Sequence, residues 1–186
     1  MSASSGVPVV SEAFEWLGGI KARCVHHVHV IVEDVKAVQK ALVGARGVDS
    51  MTMYDIGAYG GCLALMVRTK PVAIEYLQVT HPEIGLARLI KDDPLGLSEI
   101  SLLVDDIEEA IKAAKELGYI LLGRSLAFGC REAWLSHPVL KLNIEFMMAP
   151  PADYKPSADE MCEQWIYGHH GDEEEKHFRG AIKKVE

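Results

Sequence analysis

The sequence has little of what marks secreted, membrane-bound or nucleic-acid-binding proteins. Its four cysteines are widely spaced and include no CxxC pair, so reduced thiols are expected. Lysine and arginine number 19 against 27 acidic residues, and the formal net charge is −8. This charge argues against nucleic acid or an anionic membrane as the main partner. The N-terminus has no apolar run long enough for a signal peptide or a membrane span, and we expect a cytoplasmic protein.

Several common catalytic motifs are also missing. There is no P-loop, dinucleotide-binding fingerprint or nucleophile elbow, so nucleotide-dependent and serine-hydrolase activities have no support. The composition, with 49% hydrophobic and 25% charged residues, is that of an ordinary globular protein. A length of 186 residues allows one domain or two fused small modules with a real core.

The first half of the chain predicts the element order β-α-β-β-β. Residues 24–33 alternate and are rich in valine, which is typical of a strand, and Asp34 is a candidate N-cap for the helix VKAVQKALVGA. Three extended stretches follow: SMTMYDI, GCLALMVRT and VAIEYLQV. The second half repeats this order, beginning with SEISLLVDDIEEAIKAAKELGY and ending with LNIEFMM.

The two halves superpose as an internal duplication. HVHVIVEDV matches EISLLVDDI at an offset of 72 positions, GCLALMV matches GCREAWL at 68, and AIEYLQV matches NIEFMMA at 70. Offsets this constant over three segments indicate a duplication with small loop insertions. We predict an α+β fold of two tandem βαβββ modules that form a curled mixed sheet around a central cavity. The predicted segments are an N-terminal arm (1–23), the first module (24–80), a linker (81–96), the second module (97–150) and a helical C-terminal tail (151–186).

Three histidines lie within four positions at the first strand. Strand alternation places His27 and His29 on the concave face and His26 on the opposite face, among the valines or near the strand start. His26 is interpreted as structural. Two interpretations remain open for His29. It either contacts the substrate or a metal ligand, or it is an ordinary strand histidine held by hydrogen bonds.

Three glutamates lie in the middle of predicted strands, in AIEYL, LSEIS and NIEFM. A buried carboxylate is costly unless it is paired or bound to a cation. The repeat relates Glu99 to His27 and Glu145 to Glu75. Four polar positions related in this way predict a divalent-metal site. The alternative is that the glutamates point outward, on faces of the sheet that contact solvent.

The ordered motifs resemble the vicinal oxygen chelate superfamily, which includes glyoxalase I, methylmalonyl-CoA epimerase, extradiol dioxygenases and bleomycin-resistance proteins. The resemblance is carried by HVHVIVEDV, IEYLQV, GLSEISLLVDDIEEAI, and AWLSHP with NIEFM. It covers roughly residues 24–149 and is nearest to the glyoxalase I and epimerase type. It implies two βαβββ modules around a metal, with one ligand from each of four strands.

Carried over by position, the resemblance makes His27, Glu75 and Glu145 metal ligands. The fourth position departs from the family, because Glu99 stands where the usual ligand is histidine. One histidine and three glutamates favour Mg²⁺, Mn²⁺, Co²⁺, Ni²⁺ or Zn²⁺ over the Fe(II) of a dioxygenase, unless His29 joins as a ligand. Glu99 is alternatively a base rather than a ligand.

The predicted activity is that of a metal-dependent isomerase, epimerase or lyase that removes a proton next to a carbonyl and stabilises the enolate. Glu145 is the predicted catalytic base and Glu99 its acid or base partner. The alternatives are an extradiol-type or other Fe(II) dioxygenase and a non-catalytic protein that sequesters a drug. The expected partners are a small-molecule substrate and a second copy in a homodimer, with no nucleic acid and no membrane.

Overall fold

The computed structural model describes residues 14–16, 19–141, 143–155, 160–167 and 174–185. Most of the predicted N-terminal arm, residues 1–13 and 17–18, lies outside the described residues. Its described part is a short antiparallel pair of strands, β1 (Phe14–Trp16) and β2 (Ile20–Ala22). Ile20 and Ala22 are fully buried, so this pair packs on the body of the protein.

The first module has the predicted order of elements, with one added turn of helix. Asp34 caps α1 as predicted, because its carboxylate accepts hydrogen bonds from the backbone N–H groups of Lys36 and Ala37 at 2.8 and 3.1 Å. The elements are β3 (Cys24–Ile31), α1 (Val35–Leu42), β4 (Ser50–Asp55), α2 (Gly57–Gly60), β5 (Cys62–Arg68) and β6 (Ala73–Val79).

The second module repeats this arrangement after a short helix in the linker. Asp106 caps its long helix exactly as its counterpart does in the first module, accepting from Glu108 and Glu109. The elements are α3 (Gly85–Ile90), β7 (Gly96–Leu103), α4 (Ile107–Glu116), β8 (Ile120–Ala127), β9 (Cys130–Ser136) and β10 (Asn143–Met148). The predicted α+β fold of two βαβββ modules is confirmed.

Strands β3 and β7 meet at the centre of one continuous sheet. They are antiparallel, with Val28 opposite Ile100, whereas β3 with β6 and β7 with β10 are parallel pairs. The central register places His27 opposite Ser101 and His29 opposite Glu99. These two pairs are exchanged by a pseudo-twofold axis at Val28, which agrees with the sequence offset of 72.

The C-terminal tail forms strands, and the predicted helices are not found among its described residues. The strands are β11 (Met161–Tyr167), β12 (Glu174–Ala181) and β13 (Lys183–Val185). The prediction was wrong because the polar composition was given more weight than the alternation in MCEQWIY, whose Cys162, Gln164 and Ile166 are buried. β11 pairs with β8 and β13 with β4, so the tail extends the sheet at both ends.

The sheet has eleven strands in the order β12-β11-β8-β9-β10-β7-β3-β6-β5-β4-β13 and is nearly closed. Helices α1 and α4 cover the outer faces of the first and second modules, where Leu65 and Phe146 are fully buried. A third cluster, with Leu77 and Trp134, fills part of the interior. Within the described ranges, no helix is both long enough and apolar enough to cross a membrane.

Candidate functional site

The interior of the curled sheet holds a cavity of about 690 Å³. Both modules and the tail contribute to its wall, because inward-facing side chains of β3, β5, β6, β9, β10 and β11 all reach it. Much of the lining is apolar, including Tyr59, Met66, Trp134 and Met147. The acidic and imidazole groups that reach the cavity are His26, His27, His29, Glu75, Glu132 and Glu145.

His27 and His29 converge with two carboxylates on the cavity wall. Their Nε2 atoms are 2.7 Å apart, so the two imidazoles either share a proton or face a common cation. Glu145 Oε2 lies 3.2 Å from His27 Nε2 and 4.0 Å from His29 Nε2. Glu75 Oε2 lies 2.9 Å from His29 Nε2 and 3.4 Å from His27 Nε2. Of the four predicted ligands, the structure therefore brings His27, Glu75 and Glu145 together.

Glu99, the fourth predicted ligand, lies on the other side of His29. Its Oε1 is 2.5 Å from His29 Nδ1, and it is not among the residues that line the cavity. Both residues are almost completely buried, at 5% and 3% exposure. His29 thus lies between Glu99 and the cluster. Its Nε2 atom takes the position in the cluster that was predicted for the carboxylate of Glu99 on β7.

His26 also lines the cavity, against the prediction from alternation. The pairing of β3 with β7 has a bulge between Val25 and His27, which turns His26 toward the interior. Its Nδ1 lies 2.8 Å from Nδ1 of His27. Burial, and then the neighbouring His27, lower the pKa of His26 to about 4, so the imidazole is neutral at pH 7.

At three groups of the cluster, the charges and hydrogen bonds of neighbouring residues outweigh the effect of burial on the pKa. Burial alone would raise the pKa of Glu145, but His27 and then His29 outweigh it and lower the pKa to about 2. Burial likewise opposes ionisation of Glu75, yet its hydrogen bond with His29 holds its pKa below the usual value. Burial would lower the pKa of His29, but Glu99 and Glu75 raise it well above the ordinary value. Two ionised carboxylates therefore face the two imidazoles.

Glu132, on β9, is a cavity residue that the sequence analysis missed. Its carboxylate accepts a hydrogen bond from the hydroxyl of Ser125. Burial, and then the charge of Glu145, raise the pKa of Glu132 well above its usual value, which favours its protonated form. The match of Cys62 with Cys130 places Ala64 at the equivalent position, so the repeat gave no signal here. The signal that could have found it is the alternation of Cys130, Glu132 and Trp134 in CREAWL.

The cluster fits a divalent metal ion. One donor atom each from His27, His29 and Glu145 lies within 4.8 Å of the other two. Oε2 of Glu145 is buried and makes no hydrogen bond of proper geometry with any residue that the structure describes, which leaves a lone pair free for a cation. Two imidazoles and one or two carboxylates are a common ligand set for Mn, Fe, Co and Zn.

Comparison with known proteins decides the family. The profile of the Glyoxalase/Bleomycin resistance protein/Dioxygenase superfamily matches residues 26–135, which is more than half of the chain. The chain belongs to this superfamily. The resemblance seen in the sequence motifs is thereby confirmed. No curated protein matches the chain.

Solved structures share the fold of this superfamily member at low sequence identity. A hypothetical protein from Bacillus halodurans C-125 is 24% identical with a TM-score of 0.56, over 74% of this chain and 98% of its own. Methylmalonyl-CoA epimerase from Mycobacterium tuberculosis is 15% identical with a TM-score of 0.57, over 70% and 90%. A selenomethionine-labelled methylmalonyl-CoA epimerase is 20% identical with a TM-score of 0.55, over 70% and 97%. At these identities the likeness concerns the fold alone.

Proposed function

We propose that the protein is a metal-dependent isomerase or epimerase that removes a proton next to a carbonyl group and returns one. The observation that carries the proposal is the convergence of His27, His29, Glu75 and Glu145 on the wall of a largely apolar cavity. A buried cluster of this kind is costly to maintain without a cation or a substrate to meet it.

In the proposal, His27 and His29 hold a divalent ion through Nε2, together with Glu145. When bound, such an ion supplies Lewis acidity that polarises a carbonyl oxygen and stabilises an enolate. Glu145 is 2% exposed and has an oxygen without a hydrogen bond to any described group, which suits a ligand better than a base. The metal set predicted from sequence is thus modified at two positions: His29 takes the place of Glu99, and Glu75 is not a ligand.

Glu75 is assigned as the base. Its side chain is 19% exposed, against 3% for Glu145, and its low pKa keeps it ionised. The C–H bond next to the carbonyl breaks, its proton passes to the Glu75 carboxylate and its electron pair enters the enolate. The protonated Glu132 then supplies the proton that reforms a C–H bond. The sequence suggested Glu145 as the base, and the proposal assigns this role to Glu75 instead, because a substrate can reach Glu75.

The expected substrate is a carbonyl compound with an apolar body and one anionic group. The cavity lining supplies the apolar contacts, and Arg68 lines the cavity close enough to His26 to lower the pKa of that imidazole. Arg68 forms no ion pair with any described acidic group, whereas Arg124 and Arg131 both pair with Glu108. An anionic group of the substrate would therefore supply the ion-pair partner that Arg68 lacks among the described residues.

Deuterium exchange tests the proposal. The probe is methylmalonyl-CoA, the ligand in a related epimerase structure, along with other 2-substituted acyl thioesters. With Mn²⁺ or Co²⁺ in D₂O, mass spectrometry should show deuterium at the α-carbon. Glu75→Gln should stop exchange but still bind metal, and Glu33→Gln, on the exposed surface, should behave as wild type. Exchange that persists in the metal-stripped protein with EDTA would contradict the metal dependence.

A dioxygenase is a second candidate, because His27, His29 and Glu145 form the two-histidine, one-carboxylate set that holds Fe(II) in oxygenases. Glu75, within 3.4 Å of both imidazole Nε2 atoms, supplies the base that the isomerase requires, and this favours the isomerase. Anaerobic loading with Fe(II) and measurement of oxygen uptake with a catechol distinguishes the two. Catechol-dependent uptake would favour the oxygenase.

A further inference from the structure

We infer that Glu99 is a positioning residue for His29: it holds the Nδ1 side of the imidazole so that Nε2 faces the metal cluster. This inference rests on the metal site of the proposed function. It assigns Glu99 a role different from both roles expected from its sequence position, those of metal ligand and acid–base catalyst.

The register of the central strands brings the two residues together. His29 on β3 lies directly opposite Glu99 on β7, and Glu99 Oε1 is 2.5 Å from His29 Nδ1. Both side chains are almost completely buried, so water does not compete for this contact. The contact joins the two modules across the pseudo-twofold axis.

The contact decides which nitrogen of His29 carries a proton. A carboxylate oxygen beside Nδ1 accepts a hydrogen bond from Nδ1–H and so keeps the proton of the neutral imidazole on Nδ1, which leaves the lone pair of Nε2 free to bind a cation. Nε2 is the atom that lies 2.7 Å from His27 Nε2 and 2.9 Å from Glu75 Oε2. Glu99 therefore acts on the cluster through His29 rather than by direct coordination.

The repeat shows that this arrangement is specific to one half of the site. The counterpart of His29 in the second module is Ser101, whose buried hydroxyl lies beside Glu145 in the sheet and is no substitute for an imidazole. His27 lies opposite Ser101 and has His26, not a carboxylate, at its Nδ1. Two imidazoles thus come from β3 and none from β7, with Glu99 supporting the second one.

Titration with Co²⁺ tests the inference without any substrate. Visible absorption gives the affinity and the stoichiometry, and proton NMR shows the exchangeable, paramagnetically shifted N–H signal of each coordinating imidazole. For wild type we expect one bound Co²⁺ and two such signals, from His27 and His29. Glu99→Gln should keep one Co²⁺ per chain, bind it about 10- to 100-fold more weakly, and lose or broaden the His29 signal through faster exchange with water.

His29→Gln provides the comparison for loss of a ligand. It should bind Co²⁺ more weakly than Glu99→Gln and show a single signal. Glu33→Gln, an exposed substitution of the same type, should match wild type in affinity and in both signals. Far-UV circular dichroism establishes that each variant is folded.

Three results would overturn the inference. A single imidazole signal in wild type would mean that His29 is not a ligand, and this reading does not depend on any variant. Unchanged affinity and signals in folded Glu99→Gln would mean that Glu99 does not position His29. Wild type that binds no Co²⁺ would overturn the metal site of the proposed function as well, which separates that failure from the other two.

Discussion

Gln164 of β11 accepts a hydrogen bond of 2.7 Å from the backbone N–H of Leu86, in the helix that links the two modules. Gln164 is 2% exposed and lines the cavity. The tail is therefore joined to the body of the protein by a buried polar contact as well as by strand pairing. It forms part of the wall of the site.

Replacing Gln164 by Leu is expected to lower the free energy of unfolding by about 1–3 kcal/mol, because the buried N–H of Leu86 loses its acceptor. Urea denaturation followed by circular dichroism measures the change. Gln39→Leu on α1, at a half-exposed position, should change stability by less than about 0.5 kcal/mol. Equal effects of the two substitutions would show that the hydrogen bond contributes nothing specific.

Gly85 lies where the tail, α2 and α3 meet, and it should not tolerate a side chain. Its φ is +45°, and an added Cβ would lie 1.9 Å from the carbonyl oxygen of Tyr59. Gly85→Ala should therefore cost more than about 3 kcal/mol of stability, through backbone strain and displacement of Tyr59. Gly44→Ala is the matched control: its φ is +76° with nothing within 4 Å, so only about 1–2 kcal/mol is expected. Thermal unfolding of both variants compares the two costs.

Glu132, which is half-buried in the cavity wall, should make stability depend on pH. Its folded-state pKa is raised well above the ordinary value of 4.5, so above pH 4.5 the unfolded chain loses a proton that the native protein retains. Wild type should therefore lose stability relative to Glu132→Gln as the pH rises from about 4.5 to 7. Urea unfolding at several pH values measures the difference. A difference that does not change with pH would mean that Glu132 is ionised in the native protein.

Arg68→Ala should weaken binding of an anionic substrate with little change in kcat. Loss of a charge-assisted hydrogen bond of about 1.5–3 kcal/mol corresponds to a rise in KM of roughly 10- to 100-fold. Arg68→Lys should recover part of this loss, and Arg46→Ala, in an exposed loop, should leave KM unchanged. An unchanged KM in Arg68→Ala would place the anionic group elsewhere.

The fold was predictable because its signals are local and repeated. Alternating strands, the caps at Asp34 and Asp106, and near-constant offsets define both modules, and the structure confirms them. The register in which Val28 faces Ile100 agrees with the offset of 72. Each motif alone is weak evidence for the fold, but the same motifs repeated in the same order in both halves are strong evidence.

The details of the site were less predictable, because they depend on contacts between strands. A one-residue bulge reverses the side on which His26 lies, and no residue in CVHH signals it. Which member of the opposed pair His29 and Glu99 reaches the cavity is decided by packing across β3 and β7. The pairing of β13 with β4 likewise joins segments that are distant in the chain, residues 183–185 and 53–55, and no local signal predicts it.

The two outermost strands, β12 and β13, are adjacent in the chain and separated only by Ile182. Their pairings reach opposite ends of the sheet, so an unbroken peptide backbone completes the circumference of the cavity. This ring of strands cannot widen unless hydrogen-bonded neighbouring strands separate. The width of the interior therefore limits the size of the molecules that can bind there.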